Sequence, residues 1–135
     1  MKLGQALPQD AFSSANRRCI LVVEDEFLIR FMLSDSIRDV GYQVIEASNA
    51  DEALKLLETF VPDLILSDVR MPGSIDGMGL LSRIKITHPS IPVIIASAHL
   101  ERTVAISAGA ADFVAKPYTA ELIVKTVENE LAKIT

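Results

Sequence analysis

The residues best suited to chemistry in this chain are mostly acidic, and they recur where apolar runs stop. Glu24, Asp25 and Glu26 follow the run Cys19 to Val23, and Asp68 follows Leu64 to Ser67. Carboxylates crowded into one small volume repel one another, and one must take up a proton unless a cation joins them. A hard divalent ion with oxygen ligands and retained water, Mg2+ above all, resolves that repulsion beside a phosphate. Two further polar residues end apolar runs: Ser97 after Ile91 to Ala96, and Lys116 after Phe113 to Ala115. A hydroxyl can hydrogen-bond a phosphoryl oxygen, and a lysine ammonium places a point charge against it. Metal carboxylates, an acceptor, a hydroxyl and a cation then surround one transferring group. Each residue also has an ordinary reading: a solvated acidic loop for Glu24 to Glu26, a small loop residue for Ser97, a solvated lysine beside Pro117 for Lys116. Their joint occurrence is what argues for chemistry.

The elements that must position these residues follow from apolar periodicity. Cys19 to Glu24 reads as a buried strand, and Phe27 to Val40 as a helix, with Ile29, Met32, Leu33, Ile37 and Val40 at helical spacing before Gly41. Tyr42 to Ala47 is a second strand, and Ser48-Asn49 offers an N-cap to a helix with Ala50, Ala53, Leu54 and Leu57 on one face, ended by Pro62. Asp63 to Ser67 is a third strand, and a turn with Pro72 and Gly73 leads into a helix from about Asp76 to Thr87. Ile91 to Ser97, a short helix over Glu101 to Ala108, Asp112 to Ala115, and a helix from Thr119 to about Lys133 complete the pattern.

Strict alternation of strand and helix predicts an α/β, doubly wound, five-stranded parallel sheet with helices on both faces. Five units are too few for an eight-stranded barrel. The common order for such a flavodoxin-like (βα)5 sheet is 2-1-3-4-5, which periodicity alone does not supply. With that order the crevice lies outside the carboxyl ends of strands one and three, where Glu24 to Glu26 and Asp68 would converge.

Composition bounds the rest. The chain has 135 residues, room for one domain, with half of them hydrophobic and 5% aromatic. We expect residues 1–18 to be a flexible tail and 19–135 the single domain. The longest apolar runs fall short of the ~18 residues that span a bilayer, and Gly4, Gln5, Pro8, Gln9 and Asp10 break any signal-peptide core, so the expected location is the cytoplasm, with no membrane contact. The lone Cys19 is expected to be a small buried hydrophobe. A net charge of −5 argues against direct nucleic-acid contact.

The segments Ile20-Leu21-Val22-Val23-Glu24-Asp25-Glu26, Asp68-Val69-Arg70-Met71-Pro72-Gly73, Ser97-Ala98 and Lys116-Pro117 resemble the motifs of the response-regulator receiver family, over about residues 19 to 133. The resemblance implies that Asp68 accepts a phosphoryl group from a histidine kinase or a histidine phosphotransfer protein. It implies Mg2+ held by Glu24, Asp25, Asp68 and the backbone carbonyl of Arg70, with Ser97 and Lys116 on the phosphoryl oxygens. The only catalysis would be of its own phosphorylation and dephosphorylation, modulated by Arg70 and His99. Ser97 and Phe113 would act as the switch. The surface of the fourth helix, fifth strand and fifth helix, roughly residues 100 to 133, would then signal to a downstream protein target.

The chain departs from the family pattern in four places. Glu24 stands where Asp is usual, Ser97 where Thr is commoner, and Phe113 where Tyr is commoner. The loop Met71-Pro72-Gly73-Ser74-Ile75-Asp76-Gly77 is one residue longer than the commonest form. Rival readings are a receiver-fold interaction module that works without phosphorylation, a flavin-binding protein of the same fold, and an aspartate phosphatase. Glu24 to Glu26 would repel a flavin phosphate, and Arg70 occupies the place where a phosphatase wants a second acid. The chain stops shortly after the last helix, and that helix lacks a dense Arg and Lys series, so a free-standing receiver acting through protein contacts is expected.

Overall fold

The computed structural model describes residues 17–134. Of the expected tail, Arg17 and Arg18 fall within that span, and residues 1–16 lie outside it. The element order is β1 (Cys19–Val23), α1 (Phe27–Asp39), β2 (Gln43–Ala47), α2 (Ala50–Leu56), β3 (Leu64–Asp68), α3 (Gly77–Thr87), β4 (Val93–Ser97), α4 (Arg102–Ser107), β5 (Asp112–Ala115) and α5 (Ala120–Ala132). All four strand pairings are parallel, and the order is β2-β1-β3-β4-β5. The expected α/β doubly wound sheet is therefore the fold of the molecule.

Strands buried on both faces explain why the sequence shows continuous apolar runs rather than alternation. Successive side chains point to opposite faces, so β1 sends Leu21 and Val23 to one core and Ile20 and Val22 to the other. The first core gathers Ala50 and Ala53 of α2, Leu80, Leu81 and Ile84 of α3, and Ala105 of α4. The second gathers Leu33 and Ile37 of α1 with Ile123, Val127 and Leu131 of α5. Two layers of helices thus clamp the sheet and hold the carboxyl ends of the strands in fixed register.

The helix starts obey local chemistry. Asn49 Oδ1 accepts from Glu52 N at 2.7 Å, Asp76 Oδ1 from Met78 N and Gly79 N at 3.0 and 2.9 Å, and Thr119 Oγ1 from Leu122 N at 3.1 Å. Each side chain satisfies donors that a helix leaves orphaned in its first turn. Of the pair Ser48-Asn49, Asn49 is the cap; Ser48 instead donates from its backbone and hydroxyl to Glu52 Oε1 at 2.6 and 2.9 Å. The second and fourth strands begin one and two residues later than periodicity suggested, at Gln43 and Val93. Cys19 is half-buried rather than enclosed, and its amide donates to Asp63 Oδ2 at 2.7 Å.

Candidate phosphoacceptor and metal site

The two inner strands end side by side. Val23 of β1 pairs with Ser67 of β3, so Glu24 and Asp68 occupy the next step on each. Glu24 still donates its amide to Ala47 O at 3.0 Å, continuing the ladder with β2 by one residue. Its carboxyl folds back to accept from Glu26 N at 3.0 Å and is buried, with its side chain 3% exposed. Carboxylate oxygens of Glu24, Asp25 and Asp68 all lie within 4.8 Å of one another. Asp25 is the exposed member, open to solvent on the side from which a ligand would arrive.

Lys116 closes the cluster from the outer strands. Ser97 of β4 pairs with Ala115 of β5, and Lys116 N donates to Ser97 O at 2.9 Å, which fixes where the lysine leaves the sheet. Its Nζ lies 2.9 Å from Asp68 Oδ2 and 3.6 Å from Glu24 Oε1. Burial pulls the ammonium toward neutrality, but the hydrogen bond from Lys116 to Asp68 and the two nearby carboxylates outweigh it, so its pKa is raised. Glu24 moves the other way in effect: burial pushes its carboxyl up to about 7, opposed by the Glu26 amide and by Lys116 and reinforced by the Asp68 charge. Tyr118, next to the cis Lys116–Pro117 peptide, is raised to about 12 by burial, with the Lys116 charge opposing and the Glu24 and Asp68 charges adding to it.

Asp68 itself is held by its own loop. Its Oδ1 accepts from Val69 N at 2.7 Å, and Ser67 Oγ donates to its backbone carbonyl at 2.8 Å. The loop closes where Gly77 N donates to Val69 O at 2.8 Å. A Cβ on Gly77 would collide with the Asp68 carbonyl oxygen, so only glycine lets α3 start this close to the acceptor. The longer loop is tied down at its tip: Ser74 donates from its hydroxyl and amide to Asp51 of α2 at 2.6 and 3.1 Å. Arg70 lies on this loop and is exposed.

The remaining predicted residues lie on the β4 and β5 side. Ser97 is buried, and its Oγ accepts from His99 N and Leu100 N at 3.2 and 3.1 Å. His99 is exposed. Phe113 is 8% exposed and belongs to the core shared with α2, α3 and α4. The structure thus brings Glu24, Asp25, Asp68 and Lys116 together, while Ser97 serves the backbone of its own loop and Phe113 serves the core.

Two supports went unread in the sequence. Arg30 Nη1 donates to Glu24 O at 2.7 Å, and its Nε to Glu46 Oε1 at 3.1 Å. The available signal was Glu46, a carboxylate inside the otherwise apolar stretch Val44 to Ala47, which needs a partner when half-buried. The Asp51–Ser74 tie had no signal, because it joins residues 23 apart through the shape of one loop.

A five-stranded 2-1-3-4-5 sheet with clustered carboxylates and a lysine at its carboxyl rim is a receiver-type fold. The sequence matches the response regulator receiver domain family over residues 20–128, and the chain belongs to that family. It is 39% identical over 119 residues to the DNA-binding transcriptional regulator NtrC of Salmonella typhimurium, covering 86% of this chain and 25% of that protein. It is 40% identical over 116 residues to the nitrogen assimilation regulatory protein NtrX of Azorhizobium caulinodans, covering 83% and 26%. The chain therefore spans about a quarter of the length of these curated relatives. Among solved structures, the receiver domain of NtrX from Brucella abortus superposes with a TM-score of 0.79 at 37% identity, covering 84% of this chain and 98% of that one. A CheY-like receiver from Methanospirillum hungatei gives 0.81 at 23% identity, covering 87% and 96%, a likeness of fold.

Proposed function

We propose that Asp68 accepts a phosphoryl group from a phosphohistidine donor, a histidine kinase or a histidine phosphotransfer protein, in a Mg2+-dependent reaction. The observation that carries this reading is the Lys116 ammonium 2.9 Å from Asp68 Oδ2 inside a cluster of three carboxylates. The donor set is all oxygen and hard, and its buried member, Glu24, has its pKa raised by burial first and by the Asp68 charge after it, a cost that a bound cation would relieve. Glu24, Asp25, Asp68 and the Arg70 carbonyl would hold Mg2+, which when bound neutralises charge on the transferring phosphoryl oxygens.

An Asp68 carboxylate oxygen attacks phosphorus in line with the departing imidazole nitrogen. The O–P bond forms as the P–N bond breaks, and the histidine leaves with the nitrogen lone pair. Lys116 follows the charge from the free carboxylate to the new phosphoryl oxygens. Ser97 supplies its hydroxyl to the same oxygens once its Oγ gives up the His99 and Leu100 amides. Hydrolysis of the acyl phosphate by an in-line water breaks the O–P bond, releases inorganic phosphate and returns Asp68, a step modulated by the exposed Arg70 and His99.

Phe27, Leu28 and Phe31 are exposed at the start of α1, the helix that follows the acidic turn. Beside them a hollow of about 340 Å3 is lined by Ile29, Met32, Ala98, Lys116, Pro117 and Tyr118. An apolar surface of this kind suits a protein donor. Output to a downstream protein would run through the α4, β5 and α5 surface, with Ser97 and Phe113 coupling it to the phosphoryl group. The net charge of −5 leaves DNA contact to other polypeptide. Among the described residues no helix is long and apolar enough to cross a membrane.

The test is intact mass after incubation with acetyl phosphate, with and without Mg2+, for the native chain and Asp68→Asn. The expected result is a gain of about one phosphoryl group that requires both the metal and Asp68. No gain in the native chain under any condition would sink the reading and leave an unphosphorylated interaction module.

A further inference from the structure

Among the described residues no strand donates to the carbonyls of Glu24 and Asp25 in the acidic turn after β1, and one side chain takes up that task. Arg30 Nη1 donates to Glu24 O at 2.7 Å and reaches Asp25 O at 3.5 Å. Its Nε is engaged by Glu46 Oε1 of β2 at 3.1 Å, and the guanidinium carbon sits 5.6 Å from the centroid of the Phe27 ring. Glu46 is in turn within 3.6 Å of Arg38 Nη2. The Arg30 side chain is 16% exposed, and its bonds to Glu46 and to Glu24 O are part-buried, while its reach to Asp25 O is exposed. A planar fork with fixed donors can hold strand and turn at once, which a lysine cannot.

From this geometry we propose that Arg30 is a positioning residue: it clamps the backbone of the Glu24–Asp25 turn to β2 through Glu46, so that both carboxylates face Asp68 in the arrangement that binds the metal. The proposal rests on the Mg2+-dependent reading of the site. Groups that orient ligands are commonly worth as much to affinity as some ligands themselves. Here the clamp and the charge of Arg30 act in opposite directions. A positive charge beside the cluster repels an incoming cation, so by Coulomb's law alone its removal would tighten Mg2+ binding. Loss of the clamp loosens it.

That opposition makes the test decisive. Mg2+ affinity would be measured by isothermal titration calorimetry on the full chain for native protein, Arg30→Gln, Arg30→Lys and Glu46→Gln, with melting temperatures recorded in EDTA. The expected result is binding about tenfold weaker in Arg30→Gln. Arg30→Lys should bind no more tightly than Arg30→Gln, because it keeps the repelling charge and loses the fork, and Glu46→Gln should fall between native and Arg30→Gln. Binding that is unchanged or tighter in folded Arg30→Gln overturns the proposal. If Arg30→Gln does not fold, Arg30→Lys decides: it keeps the charge, so weaker binding reads the lost clamp and unchanged binding overturns the proposal. A native chain that takes up no Mg2+ overturns the metal reading itself, a different failure from native binding that Arg30 does not influence.

Discussion

The two sides of the acceptor site are built differently. On the β1 and β3 side, Glu24, Asp25 and Asp68 already share one small volume, and Lys116 already bridges Asp68 and Glu24. On the β4 side, Ser97 Oγ is committed to two amides of its own loop, and Phe113 is packed into the core. One half is assembled before any phosphoryl group arrives. The other has its hydroxyl oxygen held on its own loop, accepting from two amides with the O–H proton left to donate, so reaching the Asp68 side asks for a turn of Ser97. Electrostatic preorganisation is most effective when it needs no rearrangement during the reaction, so rate should depend chiefly on the first side and the conformational response on the second.

The largest effect expected from this contrast is at Lys116. Lys116→Met should slow acetyl phosphate labelling of Asp68 by about 10²–10³-fold, read as an intact-mass time course, because the lost cation faces the developing charge. A slowing below tenfold would move the weight of catalysis away from the preassembled side.

The next effect is a pH dependence set by Glu24. Its folded pKa is about 7 against an ordinary 4.5, so the folded chain holds a proton that the unfolded chain releases between those values. The contribution to stability is complete below about pH 4.5 and is lost as pH rises through 7, on the order of 3 kcal/mol. Metal-free native protein should therefore lose stability to urea from pH 5 to pH 7.5, and Glu24→Gln should flatten that slope. Mg2+, which binds the ionised carboxylates, should raise stability most at the upper end. A slope that Glu24→Gln leaves intact would place the proton elsewhere.

The smallest effect is expected at Ser97. Ser97→Ala removes a hydroxyl that starts out bound to His99 and Leu100, so labelling should slow only about tenfold, the scale of one hydrogen bond to a charged group. Amide exchange in the free protein should quicken at His99 and Leu100, and the exchange change on phosphorylation should shrink over α4 and β5. A rate loss as large as that of Lys116→Met would show the two sides to be equally assembled.

Much of this was legible in the chain. Short apolar runs set between helical patterns marked the strands, most plainly the inner strands β1 and β4, whose two buried faces leave no polar alternation, while the edge strand β2 carries Gln43 and Glu46. Asn49, Asp76 and Thr119 fell at helix starts for local reasons of donor satisfaction. Gly77 was less legible: its need for a missing side chain comes from the approach of α3 to Asp68, which no local pattern records. Arg30 was hidden for the same reason, since its partners, Glu24 and Glu46, belong to the turn after β1 and to β2.

The sequence alone therefore determined the alternation of elements, the caps and the placing of acid, hydroxyl and lysine at strand ends, all consequences of residue type and short-range spacing. Tertiary structure alone decided which of them meet. Lys116 reaches Asp68 across 48 residues, while Ser97 turns to its own loop. Those distances depend on strand register and loop closure, which are set when two helical layers pack against the sheet and not by any one segment.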